Sequence, residues 1–193
     1  MQLNEFTQIA EEHVFLVKRF MERQADVLVE TAHRLIRVLQ GGGKILLFGN
    51  GGSAADAQHI AAEMVGRFQI ERPGVPAISL TADSSTLTSI ANDAGFEFVF
   101  ARQIEALGRK GDAAIAISTS GNSINVIEGL RAARDKQMLT VALLGRDGGR
   151  AQDSADMALV VSGQKTSRIQ EIHCLIGHML CEAIEKELFL RRD

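Results

Sequence analysis

Lys44-Ile45-Leu46-Leu47-Phe48-Gly49-Asn50-Gly51-Gly52-Ser53 is the stretch from which the rest of the chain is best read. A run of apolar residues suits a strand covered on both faces of its sheet. The glycines, asparagine and serine that follow turn the chain into a helix. The first turn of a helix presents unpaired N–H groups and the positive end of its dipole, so such a turn attracts an anion. The pattern recurs where Ala113-Ala114-Ile115-Ala116-Ile117 meets Ser118-Thr119-Ser120-Gly121-Asn122-Ser123. Two such turns suggest a phosphorylated small molecule. Neither has the lysine of a Walker loop or the spacing of a dinucleotide fingerprint, which weighs against a nucleotide.

Outward from these turns, apolar runs and helical patterns alternate. Strands are expected at 44–48, 76–80, 112–117, 139–144 and 158–161. Helices are expected at 54–67, 84–91, 98–107, 124–134 and 166–190. That order predicts an α/β fold with a doubly wound, mostly parallel sheet flanked by helices. Ligands in such sheets bind at the carboxyl ends of the strands, where both turns fall. Ahead of the sheet, residues 4–39 carry apolar positions at helical spacing, among them Phe6, Ile9, Val14, Val17 and Phe20, then Val27, Leu28, Leu35 and Ile36. Two helices are expected there, parting near Arg23 and Gln24 and ending at Gly41-Gly42-Gly43. These long helices either cover the sheet or meet a partner subunit. The whole chain, 1–193, reads as one domain.

Composition excludes several classes. The net charge of -3 gives no global basic field for nucleic acid. No apolar run is long enough to span a membrane and no signal segment opens the chain, so a cytoplasmic location is expected. Cys174 and Cys181 lie seven apart in one helical stretch. That is too far for a disulfide along one helix, and both read as buried thiols.

His59 and Glu63 are four apart in the helix that the first turn opens, so they share a face. Such a pair binds a metal, works as acid and base, or is simply solvated. In the last helix Gln170 and His178 fall within about 80° of one another, close enough to face one cleft. His173 points about 140° away from His178 and is not expected to share it. Arg67 ends the first-turn helix, and Asn92 and Asp93 occupy a loop with turn chemistry. Lys44 is expected to snorkel. His13 and His33 read as structural, and the Gly148-Gly149 turn receives no role.

Three motifs together resemble the sedoheptulose-7-phosphate isomerases, or phosphoheptose isomerases, of the sugar-isomerase (SIS) fold. They are residues 49–59 with Glu63, residues 117–123, and Arg168-Ile169-Gln170-Glu171-Ile172-His173 with His178. The resemblance runs from about residue 3 to about residue 190. It implies interconversion of sedoheptulose 7-phosphate and D-glycero-D-manno-heptose 7-phosphate through an enediol, the first step toward bacterial surface heptose. It implies that Ser118, Thr119, Ser120 and Ser123 hold the phosphate. Asn50, Gly51, Gly52 and Ser53 would line the sugar site, with Arg67, Asn92 and Asp93 nearby. Glu63 would be the base and His178 the acid. In zinc-bearing members His59, Glu63, Gln170 and His178 would hold one zinc per subunit, and the assembly would be a homotetramer with sites between subunits. A zinc-bound carboxylate is a weaker base, a tension within this scheme. Ser167 departs from members that have Asp before the arginine.

Two rivals come from the same fold. Some SIS relatives bind the bacterial replication initiator without catalysis, and others sense phosphosugars without turnover. The non-catalytic relatives lack the pair that stands here as Glu63 and His178, and an arginine interrupts their serine loop.

Overall fold

The computed structural model describes residues 3–190. Helix α1 (Leu3–Gln40) is followed by β1 (Ile45–Gly49), α2 (Gly52–Val65), β2 (Ala77–Ser79) and α3 (Ser84–Asp93). A short 3₁₀ turn (Phe96–Phe98) precedes α4 (Ala101–Leu107), β3 (Ala113–Ser118) and α5 (Ile124–Asp135). Then come β4 (Leu139–Gly145), β5 (Met157–Val161) and α6 (Thr166–Glu185), which runs into a π-helical turn (Lys186–Leu190).

The sheet has five strands in the order β2-β1-β3-β4-β5, all parallel. From β1 the chain moves outward to β2, then crosses back to β3 on the other side of β1. The strand order therefore reverses between β1 and β3, the position where open α/β sheets bind ligands. Gly49 and Ile117 are partners in the register at the end of this pair, so the two small-residue turns leave the sheet side by side.

Side chains alternate between two cores. Ile45, Leu47, Ile115, Ile117, Val141 and Leu143 pack under α1, α2 and α6. Leu46, Phe48, Ala114, Ala116, Ala142 and Leu144 pack under α3, α4 and α5. Burial on both faces explains why the strands read as unbroken apolar runs.

Three expectations need correction. The N-terminal segment is one 38-residue helix rather than two. No Pro or Gly stands near Arg23 and Gln24 to end it, and its buried side continues from Leu16 and Phe20 to Leu28, Thr31, Ala32, Leu35 and Ile36. The expected helix at 98–107 is split, with its first residue closing the 3₁₀ turn. Lys44 does not snorkel to solvent. Its Nζ meets Asp112 Oδ2 at 2.5 Å and its backbone N–H donates to Oδ1 at 3.0 Å. Burial pushes the Asp112 carboxyl up, but hydrogen bonds from Lys44 and from the Arg109 N–H hold it below the usual carboxylate range.

Candidate functional site

Helices α2 and α6 both follow strands of a parallel sheet, so they run side by side in the same direction. Gly52 lies against the side-chain amide of Gln170, Ile60 packs over Gly177, and the N–H groups of Phe68 and Gln69 donate to the Glu185 carboxylate. Positions 52, 60 and 68 thus face positions 170, 177 and 185 in step. A Cβ at Gly52 would displace the Gln170 amide, overlapping its Nε2 and standing 3.0 Å from Cδ and 3.2 Å from Oε1. Gly51, the residue before α2, has φ +56°, a conformation that a side chain disfavours.

This register brings His59 and His178 together. Their Nε2 atoms are 2.8 Å apart and their rings meet edge to face, with centroids 5.1 Å apart. A hydrogen bond between two imidazole nitrogens needs one protonated and one bare, so the two rings take complementary tautomers. Glu63 Oε1 is 3.9 Å from His59 Nδ1. The Phe68 ring covers His178 at a centroid distance of 5.7 Å. His173 points away, as its angle on the helix implies: it is buried and hydrogen-bonds the Leu144 carbonyl through Nε2 at 3.0 Å. Burial lowers its pKa to about 4, so it is neutral.

Two further residues, assigned no part from sequence, face the cluster. Cys174 Sγ and one nitrogen each of His59 and His178 all lie within 4.8 Å of one another. Burial raises the Cys174 thiol pKa, and the nearby Asp56 and Glu63 charges raise it further. Reading both cysteines as buried thiols therefore suits Cys181, which burial pushes up to about 12, but not half-buried Cys174. Asp56 stands one turn before His59, and its Oδ2 is buried with no hydrogen-bond partner. Burial raises its pKa while the His59 charge pulls it down. Converging nitrogen and sulfur donors beside an unpaired buried carboxylate oxygen fit a divalent cation such as zinc. The spacing of 170, 174 and 178, one residue every helical turn, is a signal that could have found Cys174.

The carboxyl end of α2 is clamped. Arg72, buried against Glu185, donates to Glu185 Oε1 at 2.9 Å and to the carbonyls of Glu63 and Met64 at 2.9 and 2.8 Å. Burial pushes Glu185 up, but the Gln69 N–H, Arg72 and the Phe68 N–H together hold it below the usual carboxylate range. The clamp fixes the backbone that carries Glu63.

The two turns are joined by a pair of amides. Asn50 and Asn125 each donate Nδ2 to the other's Oδ1 at 2.9 Å. Ser53 is buried beneath the first turn. In the second, the Ser118 hydroxyl is turned inward and accepts from the Gly121 N–H at 3.1 Å, and Ser120 Oγ accepts from the Asn122 N–H at 3.2 Å. Thr119 is half-buried, and Ser123 begins α5 without using its hydroxyl as a cap. The Gly148-Gly149 turn, given no role from sequence, seats the serine loop: the Ala151 N–H donates to the Gly121 carbonyl and the Arg150 N–H to Asn122 Oδ1.

Three residues are not drawn into this cluster within one chain. Arg67 lies past the far end of α2 and pairs with Glu71 at 3.3 Å. Asn92 and Asp93 end α3, which packs on the opposite layer of the sheet, and they bond to each other at 2.7 Å.

Residues 9–145 match the model of the SIS domain. A phosphoheptose isomerase from Roseiflexus sp. is 55% identical over 172 residues, 89% of this chain and 87% of that protein. One from Helicobacter pylori strain P12 is 53% identical, covering 90% and 91%. The chain belongs to the phosphoheptose isomerase family. Solved structures agree. The phosphoheptose isomerase GmhA from Neisseria gonorrhoeae superposes with a TM-score of 0.89 at 43% identity, over 96% of this chain and all of the other. That from Francisella tularensis gives 0.92 at 35% identity with the same coverage. The Vibrio vulnificus NanR protein complexed with ManNAc-6P shares only the fold, at 14% identity and a TM-score of 0.66. The expected parallel SIS sheet is thus the fold of this phosphoheptose isomerase family member, and among the described residues no helix is long and apolar enough to cross a membrane.

Proposed function

We propose that this chain interconverts sedoheptulose 7-phosphate and D-glycero-D-manno-heptose 7-phosphate, opening heptose biosynthesis. The observation that carries this reading is the meeting of His59, Glu63 and His178 across α2 and α6, in a chain similar along most of its length to phosphoheptose isomerases. Glu63 removes the proton from the carbon beside the carbonyl and returns it to the neighbouring carbon, through a cis-enediol. His178 exchanges protons with the sugar oxygens, and its contact with His59 supplies a second nitrogen to relay them. Thr119, Ser120 and Ser123, shaped by inward-turned Ser118, hold the phosphate at the start of α5, and Asn50, Gly51, Gly52 and Ser53 line the sugar. Binding the phosphate positions the reacting carbons against Glu63.

A zinc ion would be held by His59 and His178 with Glu63 and Gln170. When bound it supplies Lewis acidity that polarises the sugar's carbonyl and hydroxyl oxygens. The chain acts as a single SIS domain, 1–193, in a cytoplasmic homotetramer. Phe6, Val14, Phe15 and Val29 of α1 are exposed apolar side chains, which supports packing against a second copy. Arg67, Asn92 and Asp93 then serve a neighbouring subunit's site. The initiator-binding and sensing readings are not favoured, because Glu63 and His178 are both present beside an uninterrupted serine loop. Glu63→Gln and His178→Gln are each expected to abolish conversion of sedoheptulose 7-phosphate followed by NMR. Near-normal turnover by either variant would overturn the assignment.

A further inference from the structure

We propose that Cys174 is a metal ligand, so that this chain binds its ion through a thiolate as well as imidazoles. The inference rests on the metal site proposed above and names a donor outside that set. Its basis is the geometry of α6. Gln170, Cys174 and His178 follow at intervals of one helical turn, each rising about 6 Å. Any ion held by both Gln170 and His178 lies between them, directly over residue 174. In this chain that residue is a half-buried thiol whose sulfur sits within 4.8 Å of nitrogens of both His59 and His178.

The distances suit closure around an ion. Zn–N bonds of about 2.0–2.1 Å and Zn–S bonds of about 2.3 Å place tetrahedral ligand atoms about 3.3–3.6 Å apart. His59 and His178, at 2.8 Å, part slightly, and the sulfur draws in by up to about 1.3 Å. The hydrogen bond between the rings gives way to two nitrogen–metal bonds. The thiol proton leaves to solvent as the sulfur coordinates, and the ion's charge compensates the Asp56 oxygen that has no partner. Glu63, at 3.9 Å from His59 Nδ1, stands at the margin of this triad. Cys174 then adds a sulfur donor to the set formed by His59, His178, Glu63 and Gln170.

The test uses the full chain, stripped with a chelator and reloaded with cobalt(II). The wild type is expected to show the visible bands of tetrahedral cobalt together with a near-ultraviolet sulfur-to-cobalt charge-transfer band. Cys174→Ser and Cys174→Ala are expected to lose the charge-transfer band, while Cys181→Ala retains it. Zinc affinity, measured by competition with a chromophoric chelator, is expected to fall at least about tenfold in Cys174→Ala. Cobalt binding without the charge-transfer band, or a band that survives in Cys174→Ala, overturns the role of Cys174 and leaves the metal site standing. Failure of the folded wild type to take up cobalt or zinc overturns both.

Discussion

Replacing Gly52 with alanine separates catalysis from stability. A Cβ at Gly52 would overlap Gln170 Nε2 and stand 3.0 Å from Gln170 Cδ and 3.2 Å from Oε1, where ordinary contacts are about 3.5–4.0 Å. The Gln170 amide, whose Nε2 is the atom overlapped most, therefore moves away by more than about 1 Å. It is the end of a flexible, half-buried side chain, so the fold yields there easily. Gly52 is the first residue of α2, where alanine is compatible with helix. The expected cost in stability is below about 1 kcal/mol, or a shift in Tm of under about 4 °C. Catalysis is less tolerant, since a misplacement of about 1 Å in a positioning group costs on the order of 100-fold. That corresponds to about 2.7 kcal/mol in transition-state stabilisation. The assay is kcat/KM for sedoheptulose 7-phosphate beside thermal unfolding of the same preparation. A Gly52→Ala enzyme within threefold of wild type would refute the role given to the Gly52–Gln170 contact. So would a loss of activity that merely tracks a large fall in Tm.

Other outcomes follow from the same geometry. Arg72→Met leaves the Glu185 carboxylate buried without its cation, and is expected to cost about 3–5 kcal/mol in urea unfolding. Asn125→Ala strands the amide of Asn50 and is expected to cost about 1–3 kcal/mol and to raise KM, by steady-state kinetics. His173 is neutral in the fold with a pKa of about 4, below its unfolded value of 6.5. The unfolded chain thus binds more protons between those values, so this contribution is complete above pH 6.5 and is lost as pH falls toward 4. The full loss is about 3 kcal/mol, and pH-dependent unfolding of His173→Gln is expected to lack it.

The sheet was legible because strands buried on both faces are unbroken apolar runs, and Lys44 to Phe48 led directly to the first turn. In α1 a change in the apolar stripe resembles a break, but without Pro or Gly near Arg23 and Gln24 the helix continues. Pairs within one helix, such as His59 with Glu63 and Gln170 with His178, were visible from spacing. Contacts between elements were not. The Asn50–Asn125 pair depends on β1 and β3 being neighbours, and the seating of Gly121 on the 148–151 turn depends on β4 lying beside β3. From sequence Cys174 reads as a buried thiol too far from Cys181 for a disulfide, although its spacing matches the site stripe. Asp56 gave no signal until its buried, unpaired oxygen could be seen.

The most direct measurement is NMR of the zinc-supplemented wild-type protein incubated with sedoheptulose 7-phosphate. Signals of D-glycero-D-manno-heptose 7-phosphate are expected to grow in at a rate proportional to enzyme. A folded protein that binds the sugar phosphate but yields no aldose would contradict it.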